Sequence, residues 1–199
     1  MISALLRARM QWFLKKLLSG DEMAQALDRI AERIVAEPAN LENTILVGIR
    51  RRGVPLAERL QEGIRDKSGH HLPLGILDIT FYRDDLSLVA QQPVVEESHL
   101  PFEMEGKKII LVDDVLFTGR TTRAALESIL DYGRPSSVEL VVLVDRGHRE
   151  LPISPNYVGV EVTTSANEMV EVRIPPIDAE EAVYLTSKES IQRANKSGE

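Results

Sequence analysis

The chain has 199 residues, 43% hydrophobic and 28% charged, the make-up of an ordinary globular domain long enough to bury a substantial core. It has no cysteine, which excludes a disulfide framework and any thiolate metal site and is compatible with a reducing, cytoplasmic setting. The net charge of −7 is uneven: residues 1–20 carry Arg7, Arg9, Lys15 and Lys16 and no acid, which leaves the remainder at −11.

Residues 1–18 are expected to form a basic N-terminal extension. They lack the clear apolar stretch and small-residue cleavage pattern of a targeting peptide, and no run in the chain approaches the ~18 apolar residues of a membrane span. A helix is predicted from Ser19, which has capping-box spacing to Glu22; Met23, Leu27, Ile30 and Ile34 form its apolar stripe and Pro38 ends it. "TILVGI" (Thr44–Ile49) reads as a buried parallel strand. A second helix begins near Val54 with Pro55 in its first turn, and "LPLGILDIT" (Leu72–Thr80) reads as a second strand. Residues 81–106 are polar and aperiodic, a length of loop that usually carries function or stays disordered. "KKIILVD" predicts the third strand, "TTRAALESILDYG" a helix closed by Gly133, and "SVELVVLVD" the fourth strand. Three shorter apolar runs follow, and residues 188–199 read as a charged tail. Residues 19–187 are thus expected to form one α/β domain, a mostly parallel twisted sheet flanked by helices on both faces. Ligands gather at the carboxyl ends of the strands in such sheets.

The chemistry concentrates after the third strand. Asp113 and Asp114 are followed by a loop in which Thr118, Gly119, Arg120, Thr121 and Thr122 can aim N–H groups and hydroxyls at an anion, at a helix N-terminus whose dipole favours one. Glycine at 119 lets the main chain approach closely. A single aspartate at a strand end is commonly a turn former; two in succession before such a loop call for a ligand with both hydroxyls and a phosphate. The Walker spacing is absent.

Four hydrophobic residues, two acids and a Thr/Gly loop over Ile109–Thr121 resemble the signature of type I phosphoribosyltransferases. The resemblance implies a loop that holds the 5′-phosphate of phosphoribosyl pyrophosphate (PRPP) and an acid pair that holds the ribose hydroxyls. "VGIRRRGVPLA" stands where that family places its pyrophosphate loop, which implicates Arg50, Arg51, Arg52 and Gly53. "DITFYRDDLS" (Asp78–Ser87) opens the segment where the family carries a mobile flap, with Arg83 closing over the leaving group. "VLVDRGHRELPI" stands where the hood over the base begins, which implicates Asp145, Arg146, Gly147 and His148. The last two stretches are similar to the PyrR-type branch, pyrimidine operon regulators with uracil phosphoribosyltransferase activity.

The resemblance implies conversion of uracil and PRPP to UMP and pyrophosphate. Mg²⁺ would be carried by PRPP, with no metal ligand supplied directly by the chain. Asp113, Asp114 and Arg83 would be the catalytic residues, in a homodimer or higher homo-oligomer. It also implies UMP-dependent transcription attenuation through binding of a pyrimidine-operon mRNA leader. Two alternatives stand beside this: an RNA-binding attenuator with little enzyme activity, and a salvage enzyme that has lost RNA binding. A purine or amido-phosphoribosyltransferase would share the signature but lack "DRGHRELP". The first helix shows Asp28, Glu32 and Glu37 against Arg29 and Arg33, and Ser154, Val160, Ala166 and Met169 stand after the hood where basic residues would serve RNA. Arg146 and Arg149 are expected to remain available for phosphates.

Overall fold

The structure is a computed structural model and describes residues 15–37, 41–82 and 98–187. Its main sheet holds β2 (Thr44–Ile49), β3 (Leu74–Leu77), β4 (Lys108–Leu116), β5 (Ser137–Asp145) and β6 (Tyr157–Glu161), in the order β3-β2-β4-β5-β6. Every pairing in it is parallel. A second, antiparallel sheet, β1-β8-β7, joins β1 (Lys15–Ser19), β8 (Ala182–Ser187) and β7 (Glu168–Arg173).

Side-chain alternation along β4 builds two cores. Ile110 and Val112 enter the cluster that also holds Met23, Leu27, Leu56 and Leu60, whereas Ile109 and Leu111 enter the one that holds Ala124, Ala125 and Ile129. Helices α1 (Gly20–Ala36) and α2 (Gly53–Ser68) therefore cover one face and α3 (Arg120–Asp131) the other. A strand buried on both faces reads as a continuous apolar run, as "TILVGI" does. Val172 of β7 and Val183 of β8 reach into the α1/α2 core, which seats the small sheet on the body.

The capping box at the head of α1 forms, with the Ser19 side chain accepting from Glu22 N–H and the Glu22 carboxylate accepting from Ser19 N–H at 2.8 Å. Two boundaries differ from the sequence reading. Lys15–Leu18, read as the end of a basic extension, lie in β1 and pair with β8. Strand β4 continues through Asp113 and Asp114 to Leu116, because β5 pairs with it along that whole length. The expectations for residues 1–14, Pro38 and the tail from 188 fall outside the described residues. So does the flap beyond Tyr82, with Arg83 in it.

Candidate active site

The carboxyl end of β4 brings the predicted residues together. Asp113 is 7% exposed. It accepts a hydrogen bond from Asp114 N–H at 2.9 Å, and Asp114 in turn accepts one from Val115 N–H at 2.9 Å. Burial, and then the neighbouring charge of Asp114, push the Asp113 carboxyl well above its ordinary value. Burial also pushes Asp114 up, and the Arg52 guanidinium pulls it part of the way back. Two buried acids of this kind are costly to ionise side by side, and a ligand offering hydroxyl donors or a cation would relieve that cost.

The Arg52 charge is near enough to act on Asp114, and α2, which Arg52 precedes, starts hard against β4. A Cβ built on Gly53 would lie 2.3 Å from the Val112 carbonyl oxygen, so a larger residue would push the basic loop off the acid strand. Gly48 allows the same closeness on β2, where a Cβ would meet the backbone of Gly53 and Val54. Within the loop the Arg50–Arg51 peptide is cis, and Arg51 is exposed. Arg50 and Arg51 also line a cleft of about 460 Å³ whose far wall is Pro176 and Ile177. Arg52 forms a two-point ion pair with Asp178, Nε and Nη2 each 3.0 Å from a carboxylate oxygen.

Beyond β4, Gly119 caps α3 at φ 90°, a left-handed conformation that places the first helical N–H groups of Arg120, Thr121 and Thr122 at the loop's end. Thr118 Oγ1 accepts from Arg120 N–H at 3.3 Å. Thr122 is 3% exposed, and its buried hydroxyl has no hydrogen-bond partner among the described residues, an arrangement that fits an acceptor supplied by a ligand, such as a phosphate oxygen. Arg120 is exposed and pairs with Glu150 at 2.7 Å.

The segment after β5 backs this loop. Arg146 N–H donates to the Leu116 carbonyl, and Glu150 and Leu151 N–H both donate to that of Thr118. Asp145 accepts from Gly147 N–H at 2.9 Å and pairs with Arg149. The Arg149 guanidinium also donates to the carbonyls of Phe117 and Ile153. Arg146 is 5% exposed; it stacks 4.0 Å over the Phe117 ring and donates to Thr164 Oγ1 and to the Ser165 and Glu168 carbonyls. Burial pulls its pKa below the ordinary guanidinium value. Both arginines, expected to remain available for phosphates, are instead committed to internal acceptors. His148 is exposed at φ 60°, and its Nε2 lies 2.7 Å from the Thr164 carbonyl. Any reading of a base by residues 145–148 therefore falls to backbone groups and to the free edge of His148.

Sequence reading missed Asp178. It sits in the turn between β7 and β8, 126 residues from its partner Arg52, and no local pattern links the two. Partial burial pushes its carboxyl up, but the Arg52 fork and the Ile174 N–H hold it below the ordinary carboxylate range.

Comparison with known proteins settles the family. The model of the phosphoribosyl transferase domain matches residues 14–174. The chain is 54% identical over 170 residues to a bifunctional protein PyrR from Pelotomaculum thermopropionicum, covering 85% of this chain and 94% of that protein. The chain belongs to the phosphoribosyltransferase family, among the PyrR proteins. A PyrR from Deinococcus radiodurans is 48% identical over 176 residues, covering 88% of this chain and 96% of its own. A hypoxanthine phosphoribosyltransferase from Trypanosoma cruzi, in complex with the product IMP, superposes with a TM-score of 0.67 at 17% identity, over 89% of this chain and 97% of that one; it shares the fold. Among the described residues no helix is long and apolar enough to cross a membrane.

Proposed function

We propose that the protein is a uracil phosphoribosyltransferase of the cytoplasm, which also regulates pyrimidine-operon expression through UMP held in the same pocket. The C1′–O bond from ribose to pyrophosphate breaks, a bond from uracil nitrogen to C1′ forms, and the nitrogen's proton leaves. The observation that carries this reading is the buried acid pair at the end of β4, flanked by Arg52 on one side and the α3 N-terminus with the unsatisfied Thr122 hydroxyl on the other.

In this reading Asp113 and Asp114 accept from the ribose hydroxyls and place negative charge beside a ring that becomes cationic as the bond to pyrophosphate stretches. The 5′-phosphate takes the N–H groups and hydroxyls of residues 118–122. Arg50, Arg51 and Arg52 balance the leaving pyrophosphate, with Gly53 keeping that loop on β4, and Arg83 approaches from the flap. Asp145, Arg146, Gly147 and His148 shape the base pocket, Arg146 by clamping residues 164–168. Mg²⁺ would be carried by PRPP oxygens and would neutralise pyrophosphate charge, and the all-oxygen acid pair at the end of β4 is chemically compatible with such a cation close by. Residues 19–187 act as the catalytic body, and a homodimer or higher homo-oligomer is the working assembly.

A nucleobase panel assayed with PRPP tests the reading. Uracil is expected to give UMP in clear preference to adenine, hypoxanthine or orotate, because a site built for one base edge leaves buried polar groups unpaired with another. A purine nucleotide as the main product would overturn it. A second reading, a salvage enzyme with weakened RNA binding, is favoured by the internal commitment of Arg146 and Arg149.

A further inference from the structure

We infer that Asp178 is a positioning residue for the leaving-group site, holding Arg52 in the orientation from which it receives pyrophosphate. The inference rests on the phosphoribosyltransferase reading above. Asp178 lies in the turn between β7 and β8 and closes that turn on itself: its N–H donates to the Ile174 carbonyl at 3.0 Å, and Oδ2 accepts from Ile174 N–H at 3.1 Å. Its carboxylate is thus fixed before Arg52 meets it. The pair is side-on, through Nε and one Nη, with the Arg52 side chain 31% and the Asp178 side chain 20% exposed. A guanidinium carries five donors, so a side-on fork leaves the other edge free to bind phosphate while the first edge stays docked. Arg52 loses its rotamer freedom to Asp178 in advance rather than on binding.

A second fork makes this more than a chance surface pair. Arg59, seven residues along and so on the same side of α2, forms a two-point pair with Glu181, three residues beyond Asp178; its Nη2 donates at 2.9 Å. The two forks dock one turn of the small sheet onto one face of the helix that begins in the basic loop. Only the first adjoins the candidate site, since the Asp114 charge also acts on Arg52.

Calorimetric titration of the intact protein with magnesium pyrophosphate tests the assignment, using Asp178→Asn, Glu181→Gln, Arg52→Gln and the Asp178→Asn/Arg52→Gln double variant. The expected results are a 5- to 10-fold weaker pyrophosphate Kd in Asp178→Asn, with UMP affinity within about twofold of the parent. Glu181→Gln should stay within about twofold for pyrophosphate, and Asp178→Asn should add nothing once Arg52 is Gln. The same loss in Glu181→Gln would assign the effect to docking in general and overturn the inference. So would a loss that persists in the Arg52→Gln background, or an unchanged Kd. Tighter pyrophosphate in Asp178→Asn would show a carboxylate that competes for Arg52, and would overturn it as well. If the parent protein itself binds neither pyrophosphate nor PRPP, the underlying reading fails instead.

Discussion

Asp113 shows how a single residue is held against its own preference. Its carboxyl is buried and sits beside a second acid, so its pKa in the folded chain is raised above the value it has when unfolded. A raised acid stabilises the fold only while protonated: the contribution is whole below the ordinary value of 3.8 and is lost as pH rises through the higher folded value. At neutral pH the native state therefore bears a cost that Asn at 113 would remove. Asp113→Asn is expected to melt about 2–5 °C above the parent at pH 7.5 and close to it once the pH falls below the ordinary carboxylate value. The same change, alone or with Asp114→Asn, should lower PRPP turnover by about 100-fold or more, because an amide brings no charge to the developing cation. Thermal scans across pH and a turnover assay read both. Near-normal turnover would remove the aspartate from the mechanism, and a melting gap that fails to widen with pH would remove the electrostatic account of its cost.

Between elements, the decisive contact is that of α2 with β4 at Gly53. Gly53→Ala places a Cβ against the Val112 carbonyl, so the helix start must lift and carry Arg52 away from Asp114. Such overpacking costs about 1–3 kcal/mol, read as a lower melting temperature, and the KM for PRPP should rise with it. An alanine variant with parental KM would mean that the approach of loop to strand is not needed. Whether an element was legible in the sequence followed from how locally it is determined. The α1 capping box, the unbroken run of β2 and the helix-opening glycine at 119 are written within a few neighbouring residues, and they stand where the sequence put them. The family's fold was legible for the same reason, since its signature lies in one stretch of β4 and the loop after it. Strand β1 was not: "KKLLS" has no clean alternation, and it is a strand only because β8, more than 160 residues later, pairs with it. Local propensity ends β4 at the acids, since aspartate is a poor strand former, yet pairing with β5 carries the strand through them. Arg146 and Arg149 looked available because sequence shows their charge and hides the carbonyls that surround them.

Across the whole molecule, charge decides how strongly RNA can be held. RNA affinity depends heavily on how many phosphates lysine and arginine can neutralise. Beyond residues 1–20 the chain stands at −11, and many of its cations already have partners. On α1, Arg33 lies over the Tyr157 ring and donates to the Asn156 carbonyl, while Lys67 of α2 pairs with Asp28 and Glu32 of α1. Arg146 donates to the Glu168 carbonyl and Arg149 to that of Phe117. The described body is thus expected to bind a pyrimidine-operon leader weakly at physiological salt, with a shallow dependence of affinity on salt because few phosphates are neutralised. A gel-shift titration with UMP present, at two or more salt concentrations, measures both quantities. The basic segment is tested by deletion, which should stop at residue 14, since Lys15 onward pairs with β8 and its loss would unfold the edge of the small sheet. If residues 1–14 supply what binding there is, their removal should abolish the shift and leave uracil turnover intact. Tight, UMP-enhanced binding that survives the deletion would overturn this account of the body's charge.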